Sequence, residues 1–417
     1  MSYRYDVSVI IVNYNGRQYL DNVLQSLSEV SNRTLTFEVI LVDNNSTDDS
    51  VELAGKYKEK IRNLKILPTG KNLGFAGGNN FGAKHSEGEF LVFLNNDTKV
   101  DKDWLWELYN VCKNPIVGAA SSKLLFFYDY IKVETRTIDK VLLNSTIRLN
   151  GKEVAVDPKF CKNLLHYQDH MVCFGHSSFY IPLIDGEKDY DIEIEVISST
   201  GVDRIVFGEN ETEITSSGNV NIKIKQEYIS SNKKTLIQNA GSGIDENFNG
   251  YDIGFCEEDN GQFDEIAKIN NACGASMMIR KSDFDLLGGF DEYFFMYYED
   301  TDLSYKVKEL GKEIYYVPGS VVRHIHTGSS KEWSPFFIYH VFRNRLLFIL
   351  RHYPLRVYWH QFMKYVYSVL RSVAGNDKLE IKKAKVKALL SVIKRTPYYY
   401  YLKRFEKGKS RRRVFDA

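Results

Sequence analysis

The sequence is poor in cysteine and has no long apolar run. Its 417 residues include five scattered cysteines, and no two of them form a C-x-x-C pair. This pattern indicates neither a disulfide framework nor a zinc site. No apolar run approaches the eighteen or so residues of a transmembrane helix, and a strand-like segment begins so close to Met1 that we expect no signal peptide. These absences favour a cytoplasmic protein.

Two common nucleotide-binding motifs are also missing. No G-x-G-x-x-G follows the first apolar run, and no G-x-x-x-x-G-K-[ST] occurs in the chain. The sequence therefore supports neither a dinucleotide-binding fold nor a P-loop. Internal repeats and low-complexity segments are absent, and the chain is longer than one typical core requires. We expect two or three domains.

Short apolar runs alternate with helix-like segments over the first hundred residues. The strand-like runs are Val7–Asn13, Phe37–Val42, Leu64–Leu67 and Phe90–Leu94. Near-continuous apolar, β-branched runs of this kind are typical of strands buried on both faces of a parallel sheet. The alternation predicts an α/β fold with a Rossmann-like, doubly wound sheet, whose ligands bind at the carboxyl ends of the strands.

Polar residues follow several of these strands. Asp43 ends the second strand and is suited to accept a hydrogen bond from the imide N–H of a pyrimidine base. The loop that we expect over Asn72–Asn80 contains Gly74–Gly78, whose glycines allow the close backbone approach that phosphate and sugar require. Asp97 follows the fourth strand and offers an oxygen ligand for a hard divalent cation that holds a diphosphate.

Two adjacent carboxylates, Glu299 and Asp300, stand at a predicted helix start after an aromatic run. Acidic side chains suit a helix N-terminus because its free N–H groups and its dipole favour negative charge. An oriented, ionised carboxylate there is able to take a proton from a substrate hydroxyl. The alternative is a helix cap without chemistry.

Together these segments resemble a known family. The motifs are VSVIIVNYNG, VDNNSTDDS, NLGFAGGNNFG, FLNNDT, NACGASMMIR, GGFDEYFFMYYEDTDLSYK and VPGSVVRHIHTGS, in this order. They are similar to those of family-2 glycosyltransferases of GT-A fold, in particular the rhamnosyltransferase-like branch of bacterial surface-polysaccharide enzymes. The resemblance covers Tyr5–Lys123 and Leu236–Ser330. It implies attack of an acceptor hydroxyl on a nucleotide-diphospho-sugar, with inversion at the anomeric carbon.

The resemblance also implies roles for individual residues. The catalytic base corresponds to Asp300, with Glu299 beside it, and the metal ligands to Asp97 and His324, with His326 able to substitute. The usual D-x-D motif reads Asn95-Asn96-Asp97 here, with one carboxylate. The implied cofactor is a divalent cation, Mn²⁺ or Mg²⁺, and a histidine ligand favours Mn²⁺. The implied nucleotide-sugar contacts are Asn13, Asp43, Lys71, Asn72, Gly74, Asn80 and Asn96.

The family pattern is interrupted by about a hundred residues. Asp191–Ile197 and Val220–Lys225 alternate apolar and charged residues, which predicts half-buried strands and a small β-sandwich or barrel. We therefore divide the chain into a nucleotide-sugar-binding half (1–126), an inserted β-rich domain (127–235), an acceptor and catalytic half (236–330) and a C-terminal helical tail (331–417). The insert is either a glycan-binding module or a spacer or oligomer contact.

The tail is strongly basic. Residues 331–417 contain 21 Lys plus Arg against 5 Asp plus Glu, whereas the remainder of the chain is net negative. Phe336–Leu370 predicts one or two amphipathic helices broken at Pro354, and Lys378–Arg395 a further one. Such helices lie in membrane interfaces, drawn by anionic lipids. The alternative is a basic face packed on the catalytic domain. No nucleic-acid-binding module accompanies the charge.

The sequence as a whole predicts an inverting, metal-assisted glycosyltransferase on the inner face of the cell membrane. It would move a sugar from a dTDP- or UDP-linked compound to a glycan or lipid-linked acceptor. The rival hypothesis is a non-catalytic glycan-binding or scaffold protein that retains the fold. The joint presence of Asp43, Asp97, Asp300 and His324 argues against that rival, because a protein without catalysis has no physical need for all four.

Overall fold

The computed structural model describes residues 3–31, 33–199, 203–208, 210–326 and 332–415, with side chains up to residue 404. The chain divides into two compact units. The first unit comprises residues 1–125, 238–253 and 263–417, and the second comprises residues 126–237 and 254–262.

The first 126 residues alternate strands and helices. The strands are β1 (Tyr5–Asn13), β2 (Phe37–Asp43), β3 (Leu64–Pro68), β4 (Gly88–Asn95), β5 (Thr98–Val100) and β6 (Val117–Phe126). The helices are α1 (Arg17–Ser28), α2 (Ser50–Lys56), α3 (Gly74–Lys84) and α4 (Trp104–Cys112). This order agrees with the alternation in the sequence.

The second unit follows and consists mostly of strands. They are β7 (Tyr130–Asn144), β8 (Thr146–Leu149), β9 (Lys152–Ala155), β10 (Lys162–His166), β11 (His170–Pro182), β12 (Tyr190–Ser199), β13 (Asp203–Phe207), β14 (Asn210–Ile214) and β15 (Gly218–Ile224), before helix α5 (Gln226–Asn232). The resolved pairings between these strands are antiparallel. Their alternate side chains, such as Ile192, Ile194 and Val196, form a separate apolar core.

The chain then completes the first unit. Its remaining strands are β16 (Ile237–Asn239), β17 (Ser242–Ile244), β18 (Gly250–Asp252), β19 (Ala267–Lys268), β20 (Ser276–Arg280) and β21 (Glu313–His324). The helices are α6 (Lys281–Leu287), α7 (Glu299–Glu309), α8 (Pro335–His352), α9 (Leu355–Ala374) and α10 (Leu379–Phe415).

The main sheet of the first unit is mixed, with the strand order β19-β21-β6-β20-β4-β1-β2-β3. β1, β2, β3 and β4 run parallel, whereas β20 runs antiparallel to β4 and β6. The register places Asn13 beside Asp43, and Val12 beside Asn95. The polar residues that follow these strands therefore meet at one edge. The α/β GT-A architecture predicted from the sequence is confirmed, with its second antiparallel sheet and its C-terminal helices.

The glycine-rich segment departs from the expectation of a loop. Most of it forms α3, which packs on the parallel strands. An added Cβ at Gly78 would lie 2.7 Å from Val12 Cγ1, and one at Gly82 would lie 2.5 Å from Ile10 Cγ2. These two glycines therefore let a helix lie close to the sheet.

The C-terminal helices belong to the first unit. The α8 residues Leu346–Leu350 are at most 1% exposed and pack with Phe294 and with α9 and α10. The buried face of α8 therefore packs within the first unit, as in the alternative of a tail that packs on the rest of the chain. None of the described helices is long and apolar enough to cross a bilayer.

A buried ionic cluster joins α7 to α8. Asp302 is fully buried and lies 3.0 Å from Lys306 Nζ, 3.1 Å from Arg351 Nη1 and 2.7 Å from His352 Nε2. Burial alone would raise the pKa of Asp302, but Arg351, Lys306 and His352 hold it well below its usual range. Asp302 is thus the carboxylate nearest to all three cations, while Asp291 lies 3.4 Å from Arg351 and Glu309 lies 3.6 Å from His352.

We predict that Asp302→Asn lowers the free energy of unfolding by about 3–5 kcal/mol, because it leaves buried cations without their anion. Chemical denaturation at neutral pH measures the loss. Asp285→Asn is the control, since its exposed pair with Lys281 is worth about 1 kcal/mol or less. The stability that Asp302 contributes is present above the pKa of about 4 that the group has in the unfolded chain, and it is lost as the pH falls below that value. The difference in the free energy of unfolding between the natural chain and Asp302→Asn must therefore become smaller in acid. Equal losses in the two variants would contradict this account.

Candidate functional site

Three strand ends bring together side chains that the sequence predicted to bind the nucleotide-sugar. Asn96 Nδ2 donates to Asn13 Oδ1 at 2.7 Å, and Asn13 Nδ2 donates to Ser46 Oγ at 3.2 Å. Both oxygens of Asp43 lie 3.3 Å from the N–H of Ser46. A carboxylate has about four lone-pair sites, so Asp43 retains capacity to accept a further hydrogen bond.

The turn before α3 places a glycine against the acceptor half of the chain. Asn72 Oδ1 accepts from the Gly74 N–H at 2.8 Å, and Gly74 adopts the left-handed φ of 71°. An added Cβ at Gly74 would lie 2.5 Å from the ring of Phe295. Any larger residue would therefore clash. The neighbouring Lys71 is exposed and is free to reach an anion.

Asn80 has a different position from the other predicted contacts. Its Oδ1 accepts from the Phe290 N–H at 2.9 Å, while its Nδ2 donates to Phe290 O at 2.9 Å and to Glu292 Oε1 at 3.2 Å. The whole amide is thus used to hold α3 against the segment that leads to α7. In this structure Asn80 acts as a positioning residue, and a direct contact with the nucleotide-sugar stays a prediction.

Asp97 and His324 face each other at the end of β4. His324 Nε2 lies 3.1 Å from Asp97 Oδ1, and Asp97 is 3% exposed. Asp97 Oδ1 has no directional hydrogen-bond partner among the described residues. His324 Nδ1 lies 2.8 Å from Gln238 Oε1, which accepts its proton, and Nε2 accepts from Asn95 Nδ2 at 3.2 Å. This tautomer leaves Nε2 as the nitrogen that a metal ion would take in place of the Asn95 amide. The orphaned oxygen and the oriented imidazole fit a divalent cation.

His326 lies elsewhere. Its Nε2 is 3.7 Å from Glu332 Oε1, so it faces an exposed carboxylate. In the described part of the chain, no three His, Cys, Asp or Glu side chains converge on one point. Asp97 and His324 would therefore supply two ligands, and the diphosphate and water would complete the shell, as is usual for hard cations that bind substrate phosphates.

Asp300 and Glu299 begin α7 but have different surroundings. Asp300 Oδ2 accepts from the Gly274 N–H at 3.0 Å and Oδ1 from the Thr301 N–H at 2.6 Å, and the side chain keeps partial solvent exposure. Burial raises the pKa of Asp300 despite these bonds. Glu299 is 5% exposed, and its Oε2 has no hydrogen-bond partner within the described chain. Burial and the charge of Asp300 raise the pKa of Glu299 well above its usual range.

A further carboxylate, Asp252, was not singled out from the sequence. Its Oδ1 accepts from Asn239 Nδ2 at 2.5 Å and from Ser242 Oγ at 3.0 Å. Burial and the negative charge of Asp300 raise the pKa of Asp252, while the Ser242 and Asn239 hydrogen bonds and His324 oppose the rise. Asp252 is therefore close enough to Asp300 and His324 for their charges to affect it. The only signal in the sequence was its place in a short polar hairpin.

Comparison with known proteins finds similar sequences. Residues 8–176 match the model of the family described as "Glycosyl transferase family 2". The chain is 30% identical over 180 residues to the cholesterol galactosyltransferase of Borreliella burgdorferi, over 43% of this chain and 46% of that protein. It is 36% identical over 99 residues to the poly(ribitol-phosphate) beta-N-acetylglucosaminyltransferase TarS of Staphylococcus aureus, over 24% of this chain and 17% of TarS. The match thus spans less than half the length of each curated relative.

Among solved structures, the crystal structure of GalNAc-T7 with UDP, GalNAc and Mn²⁺ has a TM-score of 0.50 at 15% sequence identity. The superposition covers 94% of this chain and 57% of that one. At this identity the likeness concerns the fold alone. Residues 8–176 are thus similar to family-2 glycosyltransferases, and the chain has the GT-A fold.

Proposed function

We propose that the protein is an inverting glycosyltransferase that transfers a hexose from a nucleotide-diphospho-sugar to an acceptor hydroxyl. The observation that carries the proposal is the position of Asp300. Its carboxylate is oriented by two backbone N–H groups, keeps access to solvent and has a raised pKa. These are the properties of a general base, which must be geometrically fixed and must hold a proton well enough to accept one.

The opposite side of the site is suited to the leaving diphosphate. Asp97 and His324 would hold a Mn²⁺ or Mg²⁺ ion, which when bound supplies the positive charge that stabilises the departing phosphate. Asp43 offers the acceptor for a base N–H, and Gly74 lets the turn before α3 pack directly on Phe295. In this proposal Asp300 takes the proton of the acceptor hydroxyl, and the ion held by Asp97 and His324 stabilises the leaving diphosphate.

The curated relatives suggest the substrate class. Their names describe a galactosyl, an N-acetylglucosaminyl and a glucosyl transfer, the last by the poly(ribitol-phosphate) beta-glucosyltransferase of Bacillus spizizenii, 30% identical over 108 residues. We therefore infer a role in cell-surface polysaccharide synthesis with a UDP-hexose as the first candidate. A dTDP-linked rhamnose, which the motif resemblance implied, is the second candidate.

Nucleotide release from a panel of UDP-hexoses and dTDP-rhamnose, with Mn²⁺ and a mixture of glycan acceptors, tests the proposal. Acceptor-dependent release with one of these compounds is the expected result. Binding of the nucleotide-sugars without any turnover would favour the alternative of a non-catalytic glycan-binding or scaffold protein.

We predict that Asp300→Asn lowers kcat by about 10²–10⁴-fold with little change in nucleotide-sugar affinity, because only the proton acceptor is lost. Glu299→Gln is the matched control, since Glu299 is buried and its raised pKa favours the neutral form. The acid limb of the kcat/KM profile should lie above the usual range of an aspartate, because the pKa of Asp300 is raised. A larger loss in Glu299→Gln than in Asp300→Asn would reverse the assignment.

We predict that Asp97→Ala and His324→Ala each raise the Mn²⁺ concentration needed for half-maximal activity by at least tenfold. Each variant removes one of the two protein ligands that the geometry brings together. His326→Ala should leave the Mn²⁺ titration unchanged, since His326 faces Glu332 instead. Full activity after exhaustive chelation would refute the metal assignment.

We also propose that α9 holds the protein on the inner face of the cell membrane. Trp359, Met363, Tyr367 and Leu370 form a stripe along α9 and are 51–68% exposed. Exposed apolar side chains beside basic ones are typical of helices that lie in a membrane interface. α8, in contrast, uses its apolar face inside the first unit.

We predict that Trp359→Ser with Met363→Ser lowers binding to phosphatidylglycerol vesicles at least fivefold, because it removes apolar insertion from α9. Ile138→Ser with Leu286→Ser, which removes exposed apolar residues elsewhere, is the control. Binding by the natural chain should also fall as salt rises. Flotation measures both effects, and a chain that ignores these vesicles at low salt would refute the membrane assignment.

A further inference from the structure

An open groove of about 600 Å³ lies between α9 and the turn that joins β17 to β18. Arg356, His360 and Lys364 line it from α9. Their spacing of four residues places them on one helix face. The three side chains make no hydrogen bond or ion pair in the described part of the chain, so their donors are available to a ligand.

An amide also faces this groove. Gln361 lines the groove, and its side chain makes no hydrogen bond among the residues described. Although the residue is only 8% exposed, its amide atoms are not enclosed, so the amide N–H is available to a ligand oxygen in the groove. Glu246 is the carboxylate in the lining, so the groove keeps an excess of positive charge from Arg356 and Lys364.

The groove is linked to the catalytic helix. Phe248, which also lines it, accepts a hydrogen bond through its carbonyl from Tyr298 Oη at 2.6 Å. Tyr298 is the residue immediately before Glu299 and Asp300 in α7. The hairpin that ends at this turn carries Ser242 and Asp252 toward Asp300. A molecule that occupies the groove would therefore lie against a turn that is hydrogen-bonded to the start of α7.

We propose that this groove is a phosphate-binding site for the acceptor. Arg356 and Lys364 would pair with the anionic oxygens of a phosphate ester or diphosphate, and Gln361 would donate its amide N–H to one of them. The inference rests on the proposed function, because it gives the acceptor of that same reaction a charged group. It restricts the acceptor class to phosphate-bearing molecules.

The full-length chain is titrated with inorganic phosphate and pyrophosphate by isothermal calorimetry in EDTA, so that no cation recruits diphosphate to the Asp97 side. Arg356→Gln with Lys364→Gln should weaken binding at least tenfold. Arg371→Gln with Lys394→Gln removes the same charge from α9 and α10 outside the groove, and should leave binding unchanged. Gln361→Leu should also weaken binding while the thermal midpoint changes little, because the amide makes no hydrogen bond within the described chain and would act only through the ligand.

Binding of UDP with Mn²⁺ is measured on each variant as a separate readout, so a failed groove is distinguished from a failed glycosyltransferase assignment. Vesicles of phosphatidylglycerol and phosphatidylcholine form a further arm. If the groove variants lose vesicle binding but none of the proteins binds the soluble phosphates, the groove is a membrane contact and the proposal is wrong. Equal phosphate binding by natural and groove-variant chains would overturn it as well.

Discussion

The side chain of Asn344 in α8 holds the turn that precedes α7. Its Nδ2 lies 2.7–3.0 Å from the carbonyl oxygens of Phe294, Met296 and Tyr297. Within this turn Tyr297 and Tyr298 adopt left-handed φ values of 71° and 70°. Such conformations cost about 1–3 kcal/mol per non-glycine residue and persist only where the surroundings impose them. The direction in which α7 leaves the turn is therefore fixed from the C-terminal helices.

This constraint places two neighbouring carboxylates in different environments. The turn ends at Tyr298, so Glu299 points into the protein, while Asp300 faces the Gly274 N–H and solvent. Burial raises the pKa of both, and backbone hydrogen bonds oppose the rise at both: the N–H groups of Gly274 and Thr301 at Asp300, and its own backbone N–H at Glu299. The two acids are adjacent in the sequence. The backbone geometry nevertheless leaves Asp300 partly open to solvent and buries Glu299.

The strand ends were predictable because each signal is local. Asp43 and Asp97 follow apolar runs that had to be parallel strands, and parallel strands deliver their ends to one edge. The role of Asn80 was not predictable, because its partner Phe290 lies 210 residues away. The loop expected around Gly78 was a helix for a similar reason. The need for glycine there comes from Val12 on a separate strand, and no local pattern reports that contact.

The net charge of the basic tail does not show which of its cations are exposed. Its sequence predicts one cationic surface, but the side chains of Arg343 and Arg351 are buried, at 4% and 7% exposure. Arg343 donates to the carbonyls of Tyr293 and Phe294, and Arg351 neutralises Asp302. These buried charges stabilise the turn before α7 and the α7–α8 junction. They are not accessible to an anionic ligand in solvent. An argument for an anionic partner must therefore rest on the exposed cations, such as Arg356 and Lys364 on α9, and not on the net charge of the tail.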